Sequence, residues 1–407
     1  MFSARLLSSL IWRSSTQNNI MTQNNIMTQN NIMTQNISCV QMSSNSSVLP
    51  SVCGDIVLVT GGAGFLGNHV VSLLQQRAPH VREIRVLDVK PYCDKLGTPT
   101  TKPVISTVGS ITDLNTVLDA CKGVDSVIHI AGLVSFGTFP DVKGMEEINV
   151  DGTATVIKAC LQQNVERLHF CSTVDVVIGY DDIIDGDEDS TRRPERFLFP
   201  GYPETKYKAE TLVLASNGQY SENGNKLRTL ALRANVMYGE GDPYYITAGL
   251  RSAKSSGGSL MRVGNGRALF QQAYAGNTAW AFLCADTALK YDPMVGGQPY
   301  FVPDNTPLLN TFHFLSPYLA CRGFTLSKIY LPYSLVYGCM CFVEMILRWL
   351  SPLKRINMST PACSVRYINM NLYFSSRRAR QLLGYDPIFS PVEAEARSIP
   401  YYKNLEL

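Results

Sequence analysis

A chain of 407 residues is long enough for one large domain or two small ones, and its 45% hydrophobic content can fill a sizeable core. The 36 basic and 33 acidic residues leave a net charge of +3, and no basic run with interleaved aromatics occurs, so nothing indicates a nucleic-acid partner. The 11 cysteines are an odd number without C-x-x-C spacing, the nearest approach being Cys339 and Cys341; they read as reduced thiols, and no metal site is expected.

The first 54 residues contain no Asp or Glu and include a hexapeptide, TQNNIM, repeated from Thr16, Thr22 and Thr28. Plotted as a helix, residues 2–13 set Leu6, Leu7, Leu10 and Ile11 against Arg5, Ser9 and Arg13. That pattern fits a mitochondrial targeting segment; the alternative is an idle extension grown by repeat expansion. Either way residues 1–52 are expected to stay outside the core.

The folded chain is read as starting near Cys53. DIVLVT, 55–60, is an apolar, β-branched run of strand length, followed at once by GGAGFLGNHVVSLLQQR, 61–77, whose apolar residues recur at helix spacing. EIRVLDVK, 83–90, is a second strand, PVIST, 103–107, a weak third, and a helix runs from Asp113. SVIHIAG, 126–132, is a fourth strand and MEEINVDGTATVIKACLQQ, 145–163, a long helix. RLHFCST, 167–173, is a fifth strand, a helix opens at Tyr202, and LRTLALRA, 227–234, is a sixth strand. This alternation predicts an α/β, Rossmann-type, doubly wound parallel sheet covered on both faces. After about residue 235 the alternation weakens: YGEGDPYY, 238–245, is turn-rich, and residues 257–286 read as two short strands and a helix. This C-terminal third is expected to cap the sheet edge where ligands bind.

Gly61, Gly64 and Gly67 form G-x-x-G-x-x-G between a strand and a helix. Glycine allows a positive φ and close backbone approach to phosphate, and the helix start presents free N–H groups, including those of Phe65 and Leu66. Asp88 ends the next strand, 21 residues beyond Gly67. A carboxylate there binds both ribose hydroxyls of NAD and repels the 2′-phosphate of NADP; Lys90 softens that preference. Asp113 either accepts from the adenine amino group or caps its own helix.

Tyr202 and Lys206 lie four apart on the helix after the fifth strand, so both side chains reach one ligand. Ser172 and Thr173 end that strand, and carboxyl ends of parallel strands face the cofactor crevice. One of these hydroxyls is expected to hold a substrate oxygen while Tyr202 exchanges its proton. A phenol titrates near ~10, and lowering it by ~3 units corresponds to about 4 kcal/mol, which Lys206 and a cationic nicotinamide ring together are expected to supply.

Taken together, VTGGAGFLG, EIRVLDVK, NVDGT, GYPETKYKAE, YGEGD, AYAGNTAWA and PYFVPDNTP give the chain a close resemblance to extended short-chain dehydrogenases/reductases. More narrowly, residues 53 to 400 resemble the 3β-hydroxysteroid dehydrogenase/Δ5–4 isomerase family. The resemblance implies Tyr202 as the proton-transfer residue, Lys206 as its partner, Thr173 as the substrate-orienting hydroxyl with Ser172 as fallback, and Asn149 as the asparagine that props a helix and a proton-relay water. Two departures are visible: HIAG stands where an Asn-Ala-Gly-type turn is commoner, and RANVMYG lacks the usual proline after Arg233.

IYLPYSLVYGCMCFVEMIL, 329–347, carries one charge, Glu344, with Arg348 four residues on. Its length reaches the threshold of a spanning helix, and the resemblance implies a membrane-bound enzyme with an apolar stretch here. The expected domains are a 1–52 extension, a 53–235 NAD-binding and catalytic domain, a 236–325 substrate-binding region, a 326–355 membrane-associated segment and a 356–407 cap. The implied function is NAD-dependent oxidation of a 3β-hydroxy-Δ5 steroid followed by Δ5-to-Δ4 isomerisation in steroid biosynthesis, at an endoplasmic reticulum or mitochondrial membrane. Candidate partners are the steroid or sterol substrate, the membrane and a second copy of the chain. The alternatives are a decarboxylating sterol-4α-carboxylate 3-dehydrogenase and, more remotely, a catalytically silent NAD-binding scaffold. The residues of the isomerisation step are not identifiable from the sequence.

Overall fold

The computed structural model describes residues 54–358 and 360–407. The targeting and repeat readings for residues 1–52 lie outside the described residues. Seven strands form one all-parallel sheet, numbered in chain order: β1 (Asp55–Thr60), β2 (Val81–Asp88), β3 (Val104–Val108), β4 (Ser126–His129), β5 (Arg167–Thr173), β6 (Arg228–Ala234) and β7 (Pro299–Phe301). Their spatial order is β3-β2-β1-β4-β5-β6-β7. This is the doubly wound arrangement expected from the sequence, with a seventh strand added at the β6 edge.

The strands read as continuous apolar runs because both faces are covered. Ile56 and Leu58 of β1 pack into a core with Val117, Val156, Ala159 and Val213, from the helices Leu114–Cys121, Gly152–Gln162 and Tyr202–Ala215. Val57 and Val59 pack into the opposite core with Val70, Leu73 and Phe282, from the helices Phe65–Arg77 and Ala275–Tyr291. Burying one such side chain is worth about 1.5–3 kcal/mol. A one-residue slip of β1 would exchange its two faces, so the packing fixes the register.

The strand order reverses between β1 and β4, which opens a crevice at their carboxyl ends. The C-terminal third builds a separate core over this end of the sheet, from Tyr238, Ile246, Leu250, Phe312, Tyr318 and Tyr402. One short parallel pair, Ile183–Gly186 with Leu372–Phe374, ties it to the segment after β5, and another, Ser259–Val263 with Thr325–Leu331, lies within it. Of the apolar stretch 329–347, Ile329–Leu331 end the strand Thr325–Leu331, and the rest lies in the helix Tyr333–Leu350, none of whose residues is buried.

At the opposite ends of the strands lies a buried charge cluster. Asp286 accepts from Ser126 Oγ at 2.6 Å, Arg167 Nε at 2.9 Å and His169 Nε2 at 3.0 Å. Asp55 accepts from Arg167 and Lys290 at 2.7 and 2.9 Å. Protein cations already neutralise these carboxylates, so the proximity of Asp55, His80 and Asp286 marks a charge network across the sheet rather than a place for an added cation.

Candidate active site

The glycine loop leaves β1 through Gly61, whose φ is +73° and whose N–H donates to Leu87 O at 2.8 Å. A Cβ at Gly61 would lie 2.7 Å from Ala131 N, and one at Gly67 would lie 2.2 Å from Gly61 O. Glycine at these two positions is therefore what lets β1, the turn after β4 and the Phe65–Arg77 helix approach one another. Gly64 caps that helix without a side chain, so the first-turn N–H groups at Phe65 and Leu66 remain for a ligand. Asp88 stands beside the loop: Oδ2 accepts from Ala63 N–H and Oδ1 from Lys90 N–H, each at 3.1 Å. Asp113 caps the Leu114–Cys121 helix, accepting from Asn115 N–H at 3.1 Å and from the Thr116 hydroxyl at 2.5 Å. The Thr116 bond holds the Asp113 carboxyl below the usual carboxylate range.

The helix expected over 145–163 is interrupted by a π turn, Glu146–Asp151, centred on buried Asn149. Its side chain leaves the helix to serve the turn after β4. Oδ1 accepts from Leu133 N–H at 2.7 Å, and Nδ2 donates to Leu133 O at 2.9 Å and to Thr205 Oγ1 at 3.0 Å. Thr205 in turn donates to Tyr202 O at 2.9 Å. Asn149 thus ties the β4 turn to the first turn of the Tyr202 helix, and π turns recur at functional sites for this kind of reason.

His129, the departure in HIAG, is buried between two hydroxyls, with Thr60 Oγ1 2.7 Å from Nδ1 and Thr153 Oγ1 3.0 Å from Nε2. Thr153 already donates to Asn149 O at 2.6 Å, so it accepts from Nε2–H and Thr60 donates to Nδ1. Burial, with Lys206 as a lesser cause, pushes His129 down to about 3, and the ring is a neutral spacer under the site.

The Tyr202–Ala215 helix starts after Gly201, whose φ is +80°, and has Pro203 in its first turn. Lys206 is buried, with its ammonium 4.1 Å from the centre of the Phe170 ring. A Cβ on Gly132 would meet Lys206 Nζ at 3.8 Å and Asn149 Oδ1 at 3.1 Å, so glycine keeps this corner of the crevice open. Burial lowers the Lys206 pKa, while the charges of Cys171 and Glu210 oppose that. The Tyr202 ring packs on Phe136 at 6.1 Å between centroids, and Phe136 on Phe199 at 5.6 Å.

The electrostatics of Tyr202 run opposite to the sequence expectation. Burial pushes its hydroxyl well above the ordinary phenol value, and Asp175 adds to that; Lys206 is not among the groups that shift it. In the protein alone, Tyr202 is held as a neutral phenol.

The two hydroxyls ending β5 separate cleanly. Ser172 Oγ donates to Glu210 Oε2 at 2.5 Å, and Glu210 is paired with buried Arg233 at 2.6 Å, so Ser172 belongs to a network joining β5, β6 and the Tyr202 helix. Thr173 lies on the other side, donating to Asp175 Oδ2 and accepting from Asp175 N–H, each at 3.2 Å.

Sequence reasoning passed over Asp175 and Tyr367. Tyr367 donates to Asp175 Oδ1 at 2.9 Å across 192 residues of chain, a contact with no local signal. Asp175 itself was visible two residues after Thr173 in CSTVDVV, and a carboxylate in an otherwise apolar run was the clue.

The family model described as "3-beta hydroxysteroid dehydrogenase/isomerase family" matches residues 58–333. The 3 beta-hydroxysteroid dehydrogenase type 7 of Mus musculus is 32% identical over 379 residues, covering 89% of this chain and 99% of the relative. The Homo sapiens type 7 protein is 33% identical over 359 residues, covering 84% and 94%. Among solved structures, a dTDP-glucose 4,6-dehydratase from Streptomyces venezuelae with NAD bound superposes with a TM-score of 0.61 at 21% identity, covering 86% of this chain and 97% of its own, a likeness of fold. With more than half of its length matched by the family model and nearly all of the mouse relative spanned, the chain belongs to the 3-beta hydroxysteroid dehydrogenase/isomerase family.

Proposed function

We propose that this chain oxidises the 3β-hydroxyl of a Δ5 steroid with NAD and then moves the double bond into conjugation with the new ketone. What supports this reading is that Thr173 bonds Asp175, whose charge bears on Tyr202, that the buried Lys206 ammonium lies by Gly132 in the turn after β4, and that the Tyr202 ring joins an aromatic run of Phe136, Phe199, Tyr367 and Phe270. Apolar walls with a few placed polar groups suit a fused-ring alcohol.

The nucleotide is accommodated by Gly61, Gly64 and Gly67, by the free N–H groups of the helix start and by Asp88, whose carboxylate favours NAD over NADP. NAD, when bound, supplies the hydride acceptor and a positive charge that offsets the burial of a Tyr202 phenolate. Thr173 Oγ1 holds the substrate oxygen, and Tyr202 Oη takes the hydroxyl proton. Lys206 stands beside the Gly132 backbone, where its ammonium holds a ribose hydroxyl. Asn149 keeps the β4 turn and the Tyr202 helix in register for both.

The 4-carboxysterol alternative meets an obstacle at Asp175. A substrate carboxylate next to Thr173 would face a second, buried carboxylate, and like charges in such surroundings repel strongly.

Attachment to a membrane fits a substrate that partitions into lipid. The Tyr333–Leu350 helix exposes Leu335, Phe342, Met345, Ile346 and Trp349. Glu344 is turned to the protein instead, accepting from Ala362 N–H at 2.5 Å and lying 3.9 Å from Arg348.

The test is NADH formation by membranes carrying the chain, given NAD and a 3β-hydroxy-Δ5 steroid, with Tyr202→Phe as the control. The expected result is activity that falls by about a thousandfold in the variant, within the range for loss of a general acid–base. Activity on a 4-carboxysterol but on no Δ5 steroid would replace this reading with the decarboxylating one.

A further inference from the structure

We propose that Lys95 supplies a cationic contact at the adenosine ribose, a site for the 2′-phosphate of NADP, so that the chain takes NADP as a weaker second nucleotide beside NAD. The assignment concerns the nucleotide alone and holds whichever alcohol is oxidised.

The end of β2, taken by itself, argues for NAD. Asp88 accepts from Ala63 N–H and from Lys90 N–H at 3.1 Å each, which holds its carboxylate against the glycine loop. A 2′-phosphate at the ribose would meet that negative charge. Lys90 is the cation that chain position puts nearest, but its bond to Asp88 is made by the backbone, and the residue is exposed. The ammonium that the fold brings to the loop is a different one: Lys95 Nζ donates to Ala63 O at 3.1 Å.

Ala63 therefore holds both groups, its N–H on the Asp88 carboxylate and its carbonyl on the Lys95 ammonium. Two hydrogen bonds to one residue keep the two charges within about 10 Å of each other. The ribose that Asp88 binds lies at this corner. The pyrophosphate belongs to the N–H groups of Phe65 and Leu66, farther along the loop at the helix start. A phosphate on the ribose thus comes to Lys95, whereas the phosphates common to both nucleotides do not.

The backbone of Lys95 is already fixed. Its N–H donates to Asn68 Oδ1 at 3.1 Å, and the buried Asn68 donates in turn to Gly64 O at 3.0 Å. One asparagine of the Phe65–Arg77 helix so ties the loop after β2 to the glycine loop. Two turns of helix further on, Ser72 Oγ lies 2.7 Å from Thr98 Oγ1, and Gln75 Oε1 accepts from Thr101 N–H at 2.8 Å. An exposed lysine on a loose segment gains little from pairing, because ordering it costs what the contact returns. Here only the side chain has to turn. Its ammonium has three hydrogens and Ala63 O uses one, which leaves two for phosphate oxygens. Asp88 keeps NAD ahead, and Lys95 narrows the margin.

The experiment titrates the full chain, purified in detergent, with NADH and NADPH by fluorescence. It then displaces NADH with 5′-AMP and with 2′,5′-ADP, two probes that differ only in the 2′-phosphate. Lys95→Met removes the charge and keeps most of the stem; Lys95→Arg keeps the charge. The unmodified chain is expected to bind NADPH within about a hundredfold of NADH. In Lys95→Met the NADPH dissociation constant should rise by about tenfold or more, which is about 1.4 kcal/mol, with that of NADH changed by less than about threefold. Binding of 2′,5′-ADP should weaken alongside NADPH, and that of 5′-AMP should not. Lys95→Arg should keep NADPH within about threefold of the unmodified chain. Equal weakening of NADH and NADPH in Lys95→Met overturns the assignment, because it puts the ammonium at the pyrophosphate that both share. Unchanged binding of both overturns it as well. An unmodified chain that binds NADH but neither NADPH nor 2′,5′-ADP overturns it too, and leaves the NAD-linked oxidation standing.

Discussion

The buried carboxyl of Asp175 has a consequence for stability. Its pKa is raised from 3.8 to about 6 on folding, chiefly by burial. The sign follows directly: the protonated group is favoured in the folded state, so the contribution is fully present below the unfolded value and is lost as pH rises through about 6. At neutral pH the ionised carboxylate withholds up to about 3 kcal/mol. The titratable groups facing it are the phenols of Tyr367 and Tyr202, which remain neutral throughout this range. Asp175→Asn is therefore expected to unfold at a higher temperature than the unmodified chain at pH 8, by roughly several degrees, and to lose that advantage at pH 4. Calorimetry at the two pH values checks this; an advantage independent of pH would mean that the burial of the carboxylate is not its origin.

At the scale of elements, the glycine loop makes a graded prediction. A Cβ on Gly67 meets only backbone, at 2.2 Å from Gly61 O and 2.6 Å from Gly62 Cα, whereas one on Gly64 meets Gly61 O at 3.1 Å. Backbone cannot swing aside, so Gly67→Ala is expected to displace the helix start and weaken NADH binding by more than about tenfold, as a lost phosphate contact of a few kcal/mol would. Gly64→Ala should weaken it less, and fluorescence titration of the two variants ranks them; equal loss would show that the helix start does not hold the phosphates. This loop, with the six strands of four or more residues in the main sheet, was legible in the sequence because parallel strands buried on both faces read as apolar runs and a phosphate turn needs glycine at fixed intervals. β7 was not, being three residues long and opening on Pro299. The π turn at Asn149 hid inside a normal apolar periodicity, because its cause is the side chain's bonds to Leu133 and Thr205 in other elements. Tyr202 and Lys206 could be picked out by spacing, but the Asp175–Tyr367 contact joins two segments that only the tertiary fold brings together.

For the whole molecule, the proposed membrane attachment makes a prediction about how the Tyr333–Leu350 helix would lie. At 1.5 Å per residue its 18 residues span about 27 Å, nearly the hydrocarbon thickness of a bilayer. Both of its ends, however, are fastened to the same folded unit. The strand before it, Thr325–Leu331, pairs with Ser259–Val263, and after it Asn357 Oδ1 and Met358 O accept from Phe139 and Thr138 N–H at 3.2 Å. A crossing helix would have to break one of these attachments to place its ends on opposite sides. The face turned to the protein carries Tyr333, Val336, Tyr337 and Glu344, all partly covered, while Phe342 and Trp349 are 59% and 80% exposed. Lying flat therefore keeps the Glu344 bond to Ala362 and still buries the apolar face in lipid, at about 1.5–3 kcal/mol per large side chain. The same attachment reaches the site, since the loop held by Asn357 and Met358 carries Phe136, which packs on Tyr202. In sealed vesicles, Lys328 and Lys354, which flank the helix and are both exposed, are expected to react together with an impermeant amine reagent or to be protected together. Phe342→Asp combined with Trp349→Asp should release the chain into the soluble fraction with its NADH affinity intact, because neither side chain contributes to the core. Labelling of only one lysine would establish a crossing helix, and would require the strand pairing of Thr325–Leu331 or the contact at Thr138 and Phe139 to open in the membrane.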